Sequence, residues 1–144
     1  MKPPDQQKTA APLFASANSQ PEESAPRHTV LLVEDDRSLR RYLEIILQKA
    51  GYTVITAGDG LEAMKIALTT RVEAVVTDAI MPHISGHELC RFLRRQSKLA
   101  RLPVILLSGL EEASATTTQQ DGADIYMTKP VNPNELLNCL ERLI

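Results

Sequence analysis

Apolar residues along this chain switch repeatedly between two spacings. Short strand-length runs at 29–33, 53–56, 74–77, 104–107 and 125–127, several of them almost continuously apolar, alternate with longer stretches in which apolar residues return every three or four positions. Short runs with apolar residues on both faces are what parallel strands covered on both sides require. Between them, Leu39, Leu43, Ile46, Leu47 and Ala50 mark one helical face, and Gly51 is a natural C-terminal stop. Leu61, Met64 and Leu68 mark a second helix, Leu89, Phe92 and Leu93 a third, and Leu136, Leu137, Leu140 and Leu143 the last.

Signals at the helix starts agree with this spacing. Asp59 with Glu62, Ser85 with Glu88, and Asn132 with Glu135 each place a capping acceptor three residues before a Glu. Pro133 takes the first helical position, where its missing N–H costs nothing. The stretch 111–121 is different. It holds small or polar residues, including consecutive Thr116, Thr117 and Thr118, so it predicts a short, loosely attached and mobile helix. Five alternations predict an α/β fold, a doubly wound five-stranded parallel sheet of (βα)5 type.

Residues 1–27 break the pattern. Five of the nine prolines fall there, among Gln, Ser and Ala, with Leu13 and Phe14 the only large apolar side chains after Met1. Such a stretch cannot offset its ordering entropy by burial, so it predicts a flexible leader before one domain at 28–144. Composition adds exclusions. A net charge of -2 supplies no basic field for binding nucleic acid directly. No apolar run approaches the roughly 20 residues of a membrane span. Cys90 and Cys139 form neither a metal-ligand spacing nor a disulfide framework, and they read as packing residues of a cytoplasmic protein.

In a parallel sheet all strand C-termini lie at one edge, where open α/β sheets bind ligands. The first strand ends in Glu34-Asp35-Asp36, the third in Asp78, the fourth in Ser108-Gly109, and Thr128-Lys129-Pro130 follows the fifth. Asp78 taken alone, four residues before Pro82, reads as a turn residue. In this company it does not. Crowded carboxylates raise one another's pKa unless a cation neutralises them. Lys129 supplies one charge, and an all-oxygen set of few ligands suits Mg²⁺ better than a Ca²⁺ cage. An ionised carboxylate beside Mg²⁺, with a hydroxyl and an ammonium at hand, suits attack on phosphorus without a general base. Asp36 reads as a helix N-cap, and His83 and His87 as loop and cap residues. Arg91, Arg94, Arg95, Lys98 and Arg101 read as the solvated end of the third helix, complementary to its dipole.

The stretch from about 29 to 144 resembles the receiver domain of two-component response regulators. The likeness rests on the acidic pair after the first strand, Asp78-x-x-Met81-Pro82-x-x-x-Gly86, Ser108 after the fourth strand and Lys129-Pro130 after the fifth. It implies strand order 2-1-3-4-5 and Asp78 as the phosphoacceptor. It implies Mg²⁺ bound by Asp35 directly, by Glu34 through water, by Asp78 and by the Ile80 carbonyl. Ser108 would be the switch hydroxyl, Tyr126 the switch aromatic, and Lys129 the partner of the phosphoryl group, with a cis Lys129–Pro130 bond. Glu34 stands where the family more often has Asp, Gly109 where it has Ala, and Val131 where it has an aromatic; Ile80 and Leu110 flank the site as apolar residues.

The resemblance implies a phosphohistidine donor, either a sensor histidine kinase or a histidine phosphotransfer protein. It implies a downstream protein target read by the 111–144 face, or a phosphorylation-dependent dimer. Only 14 residues follow Pro130, so no output domain is expected in this chain. An aspartate-nucleophile phosphohydrolase of the haloacid dehalogenase type would need a second Asp two residues after Asp78, where Ile80 stands, so an enzyme is not expected. A flavin carrier would need a Ser/Thr/Gly-rich phosphate loop in place of Glu34-Asp35-Asp36.

Overall fold

In the computed structural model, which describes residues 27–109 and 122–144, five parallel strands form one sheet in the order β2-β1-β3-β4-β5. The strands are β1 (Thr29–Val33), β2 (Thr53–Ala57), β3 (Ala74–Asp78), β4 (Val104–Ser108) and β5 (Ile125–Thr128). The described helices are α1 (Arg37–Lys49), α2 (Gly60–Thr69), α3 (Gly86–Arg95) and α4 (Pro133–Leu143). The expected leader, apart from Arg27, and the expected weak helix at 111–121 lie outside the described residues.

Four strands run one residue further than their apolar pattern. Ala57, Asp78, Ser108 and Thr128 are their last residues, because ladder pairing is made by the backbone and is indifferent to side-chain polarity. Val33 pairs with Ala57, Asp78 with Leu107 and Ser108 with Thr128. Asp78 and Ser108 therefore belong to the ladder itself.

Alternation along the strands divides the core in two. Leu31, Val33, Val75 and Val104 pack with α2 and α3, whereas Val30, Leu32, Ala74, Val76, Ile105 and Leu107 pack with α1 and α4. The expected helix faces hold for α1, α3 and α4, where Leu43 and Leu47, Leu89 and Leu93, and Leu136 and Leu140 are buried. In α2 the expectation fails. Leu61 and Leu68 are 54% and 56% exposed, while Gly60, Ala63 and Ala67 are buried. The cause is close approach: a Cβ on Gly60 would stand 2.7 Å from Ile84 Cγ2, so only small residues fit that face.

The caps form as expected. Asp36 accepts from the Ser38 and Leu39 amides, Asp59 and Asn132 each accept from the amide three residues on, and Ser85 with Glu88 completes a capping box. Gly51 takes the left-handed φ of 101° that ends α1. At the opposite edge of the sheet, Glu73 accepts from the Thr29 amide at 2.6 Å and lies 3.3 Å from His28 Nδ1. Among the described residues, no helix is long and apolar enough to cross a membrane.

Arg94 departs from the expected solvated helix end. Its guanidinium donates to the Gly122 carbonyl at 2.8 Å, the Leu102 carbonyl at 2.8 Å and Asp124 Oδ2 at 3.0 Å. The same Asp124 oxygen accepts from the Val104 amide at 2.8 Å. One side chain thus ties α3 to the entries of β4 and β5. Replacing Arg94 with Met should cost about 2 kcal/mol in urea unfolding, because two carbonyls and a carboxylate lose a charged donor. Arg95→Met, at an exposed position on the same turn, should stay within about 0.5 kcal/mol of the parent; equal losses would refute the clamp.

Candidate functional site

The carboxyl edge of the sheet gathers the expected acids through backbone contacts that leave them little freedom. Glu34 follows β1 directly, and its amide donates to the Ala57 carbonyl at 3.1 Å, extending the β1–β2 pairing by one residue. Its Oε2 accepts from the Asp36 amide at 3.2 Å. Asp78 closes β3; the Ala79 amide then donates to the Leu107 carbonyl at 2.7 Å, and the Gly86 amide folds back onto the Ala79 carbonyl at 2.8 Å. Gly86 is needed for that return. A side chain there would run into the Asp78 carbonyl and stand 2.9 Å from the Ala79 Cα. Lys129 is held by its own amide, 2.7 Å from the Ser108 carbonyl, and its peptide bond to Pro130 is cis, as expected.

These supports bring four side chains together. Lys129 Nζ lies 2.7 Å from Asp78 Oδ1 and 3.6 Å from Glu34 Oε1. Glu34, Asp35 and Asp78 each offer a carboxylate oxygen within 4.8 Å of the others. Ser108 is buried at the end of β4, paired in register with Thr128, the residue before Lys129. Tyr126 is half-buried and pairs with Leu106, two rungs back from that edge. Ile80 is 65% exposed just beyond Asp78. His83 turns the following loop with a left-handed φ of 71°. Asp36 serves as the α1 cap, as expected.

Burial dominates the electrostatics. Glu34 is only 1% exposed, and its pKa is pushed up from 4.5 to about 7 by burial first and by the Asp78 charge second. The Asp78 pKa is also raised by burial, against the lowering pull of Lys129. Burial disfavours the Lys129 ammonium, but its contacts with Asp78 and Glu34 outweigh this and raise its pKa. One ammonium does not satisfy three acids: Glu34 Oε1 is buried and, with Lys129 Nζ 3.6 Å away, has no hydrogen-bond donor among the described residues. An orphaned carboxylate oxygen inside an all-oxygen cluster fits a hard divalent cation such as Mg²⁺.

Sequence reasoning missed Arg40. This residue of α1 donates from Nη1 to the Glu34 carbonyl at 2.8 Å. Its only trace in the sequence is a cation six residues after the acid, outside the helical period that organised the rest.

Fold and site together define a signal-receiving α/β module. Residues 30–141 match the family model described as the response regulator receiver domain, and the chain belongs to that family. The alkaline phosphatase synthesis transcriptional regulatory protein PhoP of Bacillus subtilis (strain 168) is 39% identical over 108 residues, covering 74% of this chain and 44% of that protein. This chain thus spans less than half the length of that relative. The chemotaxis response regulator CheY4 of Vibrio cholerae superposes with a TM-score of 0.77 at 33% identity, over 83% of this chain and all of that one (100%). The response regulator TrrA of Thermotoga maritima, solved in complex with Mg(2+)-BeF, superposes with a TM-score of 0.73 at 31% identity, over 81% of this chain and 99% of that one.

Two predictions follow from this geometry. Between pH 4.5 and about 7 the folded protein keeps a proton on Glu34 that the unfolded chain has lost. Stability without metal should therefore fall as pH rises through that window, by on the order of 3 kcal/mol from this group, and level off above it. Glu34→Gln should remove that slope in denaturant titrations and be the more stable protein at pH 8; an unchanged slope would discount the buried acid. Gly86→Ala should cost about 1–3 kcal/mol, because the atoms it meets are backbone and cannot rotate away. A variant as stable as the parent would mean that the 78–86 return is looser than described.

Proposed function

We propose that this receiver domain is a phosphorylation switch in which Asp78 accepts a phosphoryl group from a phosphohistidine donor. The observation that carries this reading is the Asp78 carboxylate at a strand end, 2.7 Å from Lys129 Nζ and inside a cluster that leaves a Glu34 oxygen unsatisfied. One Asp78 carboxylate oxygen forms the new bond to phosphorus while the phosphorus–nitrogen bond of the donor breaks, its electron pair leaving with the imidazole. Asp78 is pinned by the β3–β4 ladder and by the Ala79 amide, so the attacking atom pays little orientational entropy. Lys129 holds charge where the phosphoryl oxygens arrive. Ser108, buried at the neighbouring strand end, supplies a hydroxyl for one of them and couples the modified state to Tyr126 on β5.

Glu34, Asp35, Asp78 and the Ile80 carbonyl would hold Mg²⁺, which when bound supplies the positive charge that the crowded carboxylates and incoming phosphoryl oxygens need. The chain acts as a switch and not as a turnover enzyme, because the position two residues after Asp78 carries Ile80 and no acid or base. Its donor is a sensor histidine kinase or a histidine phosphotransfer protein. Its output passes through the face carrying β5 and α4, to a downstream protein or a second copy, and the chain's net charge of -2 supplies no overall basic field for nucleic acid.

With Mg²⁺ and acetyl phosphate the protein should gain one acid-labile, hydroxylamine-sensitive phosphoryl group, counted by intact mass. Asp78→Asn should abolish the label. Lys129→Ala should retain part of it yet lose the conformational response, followed as amide exchange across 122–128. Equal labelling of the parent and Asp78→Asn would sink the assignment.

A further inference from the structure

Of the three clustered acids, Asp35 has the least support of its own. Asp78 lies in the sheet and Glu34 is buried, but Asp35 is exposed, between the end of β1 and the cap of α1. Arg40 grips the chain on both sides of it. The Arg40 amide donates to the Asp36 carbonyl at 2.9 Å, and its guanidinium donates to the Glu34 carbonyl at 2.8 Å. The Glu34 carbonyl belongs to the peptide that leads into Asp35, so its direction sets the plane from which the Asp35 carboxylate projects. The amide of Glu34 is tied to Ala57 and its Oε2 to the Asp36 amide, and the Arg40 guanidinium adds a restraint on the carbonyl between them.

We infer that Arg40 is a positioning residue for the cation site, holding the Glu34–Asp35 peptide so that Asp35 stays within reach of Glu34 and Asp78. This rests on the reading of the acidic cluster as a Mg²⁺ site. The role has a distinctive sign. As a mere neighbouring charge, Arg40 repels a divalent cation, and its removal would tighten Mg²⁺ binding. As a positioning residue, it organises a ligand, and its removal weakens binding despite the relief of repulsion. Partners that orient metal ligands cost about 10- to 100-fold in affinity when lost.

The experiment is calorimetric titration of the unphosphorylated protein with MgCl₂, with unfolding followed in parallel to establish that each variant is folded. Arg40→Met should raise the Mg²⁺ Kd by about tenfold. Arg40→Lys keeps a donor and the charge and should recover part of that loss. Arg41→Met removes an exposed charge one residue away, paired with Glu44 at 3.1 Å, and should leave the Kd within about twofold or lower it slightly. If Arg40→Met does not fold, Arg40→Lys decides: a loss of at least about threefold supports the role, and parental affinity overturns it. A Kd unchanged or lowered in a folded Arg40→Met overturns the inference while the Mg²⁺ site stands. A parent that binds no Mg²⁺ at all overturns both.

Discussion

The Lys129–Asp78 contact is the interaction on which the site depends. Three carboxylates meet at the end of a sheet where burial, together with the Asp78 charge, pushes the Glu34 pKa to about 7, and burial raises that of Asp78. Without a cation, protonation would be the cheapest relief, and a protonated Asp78 is no nucleophile. The ammonium 2.7 Å away opposes that outcome without ending the shortage of positive charge. The remaining deficit, visible in the Glu34 oxygen that has no donor among the described residues, is one that a divalent cation would make good.

A contact of this kind needs a rigid frame, and the sheet provides it. Asp78 and Ser108 are ladder residues, and Lys129, one step past β5, is fixed by a hydrogen bond from its backbone amide to the Ser108 carbonyl. The Asp78 carboxylate, the Ser108 hydroxyl and the Lys129 ammonium are therefore presented by three adjacent strands. At the other edge, Arg94 binds α3 to the entries of β4 and β5, so the strand that delivers Lys129 is anchored at both ends. Movement of β5 relative to β4 would be felt at both.

Much of this could be read from the residues. Continuous apolar runs in β1, β3 and β4 announced strands covered on both faces, and Glu34, Asp35, Asp78, Ser108 and Lys129 could be assigned to one edge because parallel strands share their direction. The misreadings have a common cause. Leu61 and Leu68 have the right period for a core face, but the closeness of α2 to Ile84 selects Gly60, Ala63 and Ala67 for burial. Arg94 and Arg40 look like surface cations because most of their partners are backbone carbonyls, which carry no sequence signature, and the Asp124 partner of Arg94 lies 30 residues away.

Periodicity and strand-end chemistry were enough to specify the sheet, its caps and the residue types at its edge, since these depend on local spacing and shared strand direction. Distances were decided only in three dimensions. Whether Lys129 reaches both Asp78 and Glu34, which Glu34 oxygen is left without a donor, and which arginine holds which carbonyl all depend on how five strands and their loops stack in register. That stacking is set by the packing of two cores against one sheet, a property of the assembled chain and of no single segment.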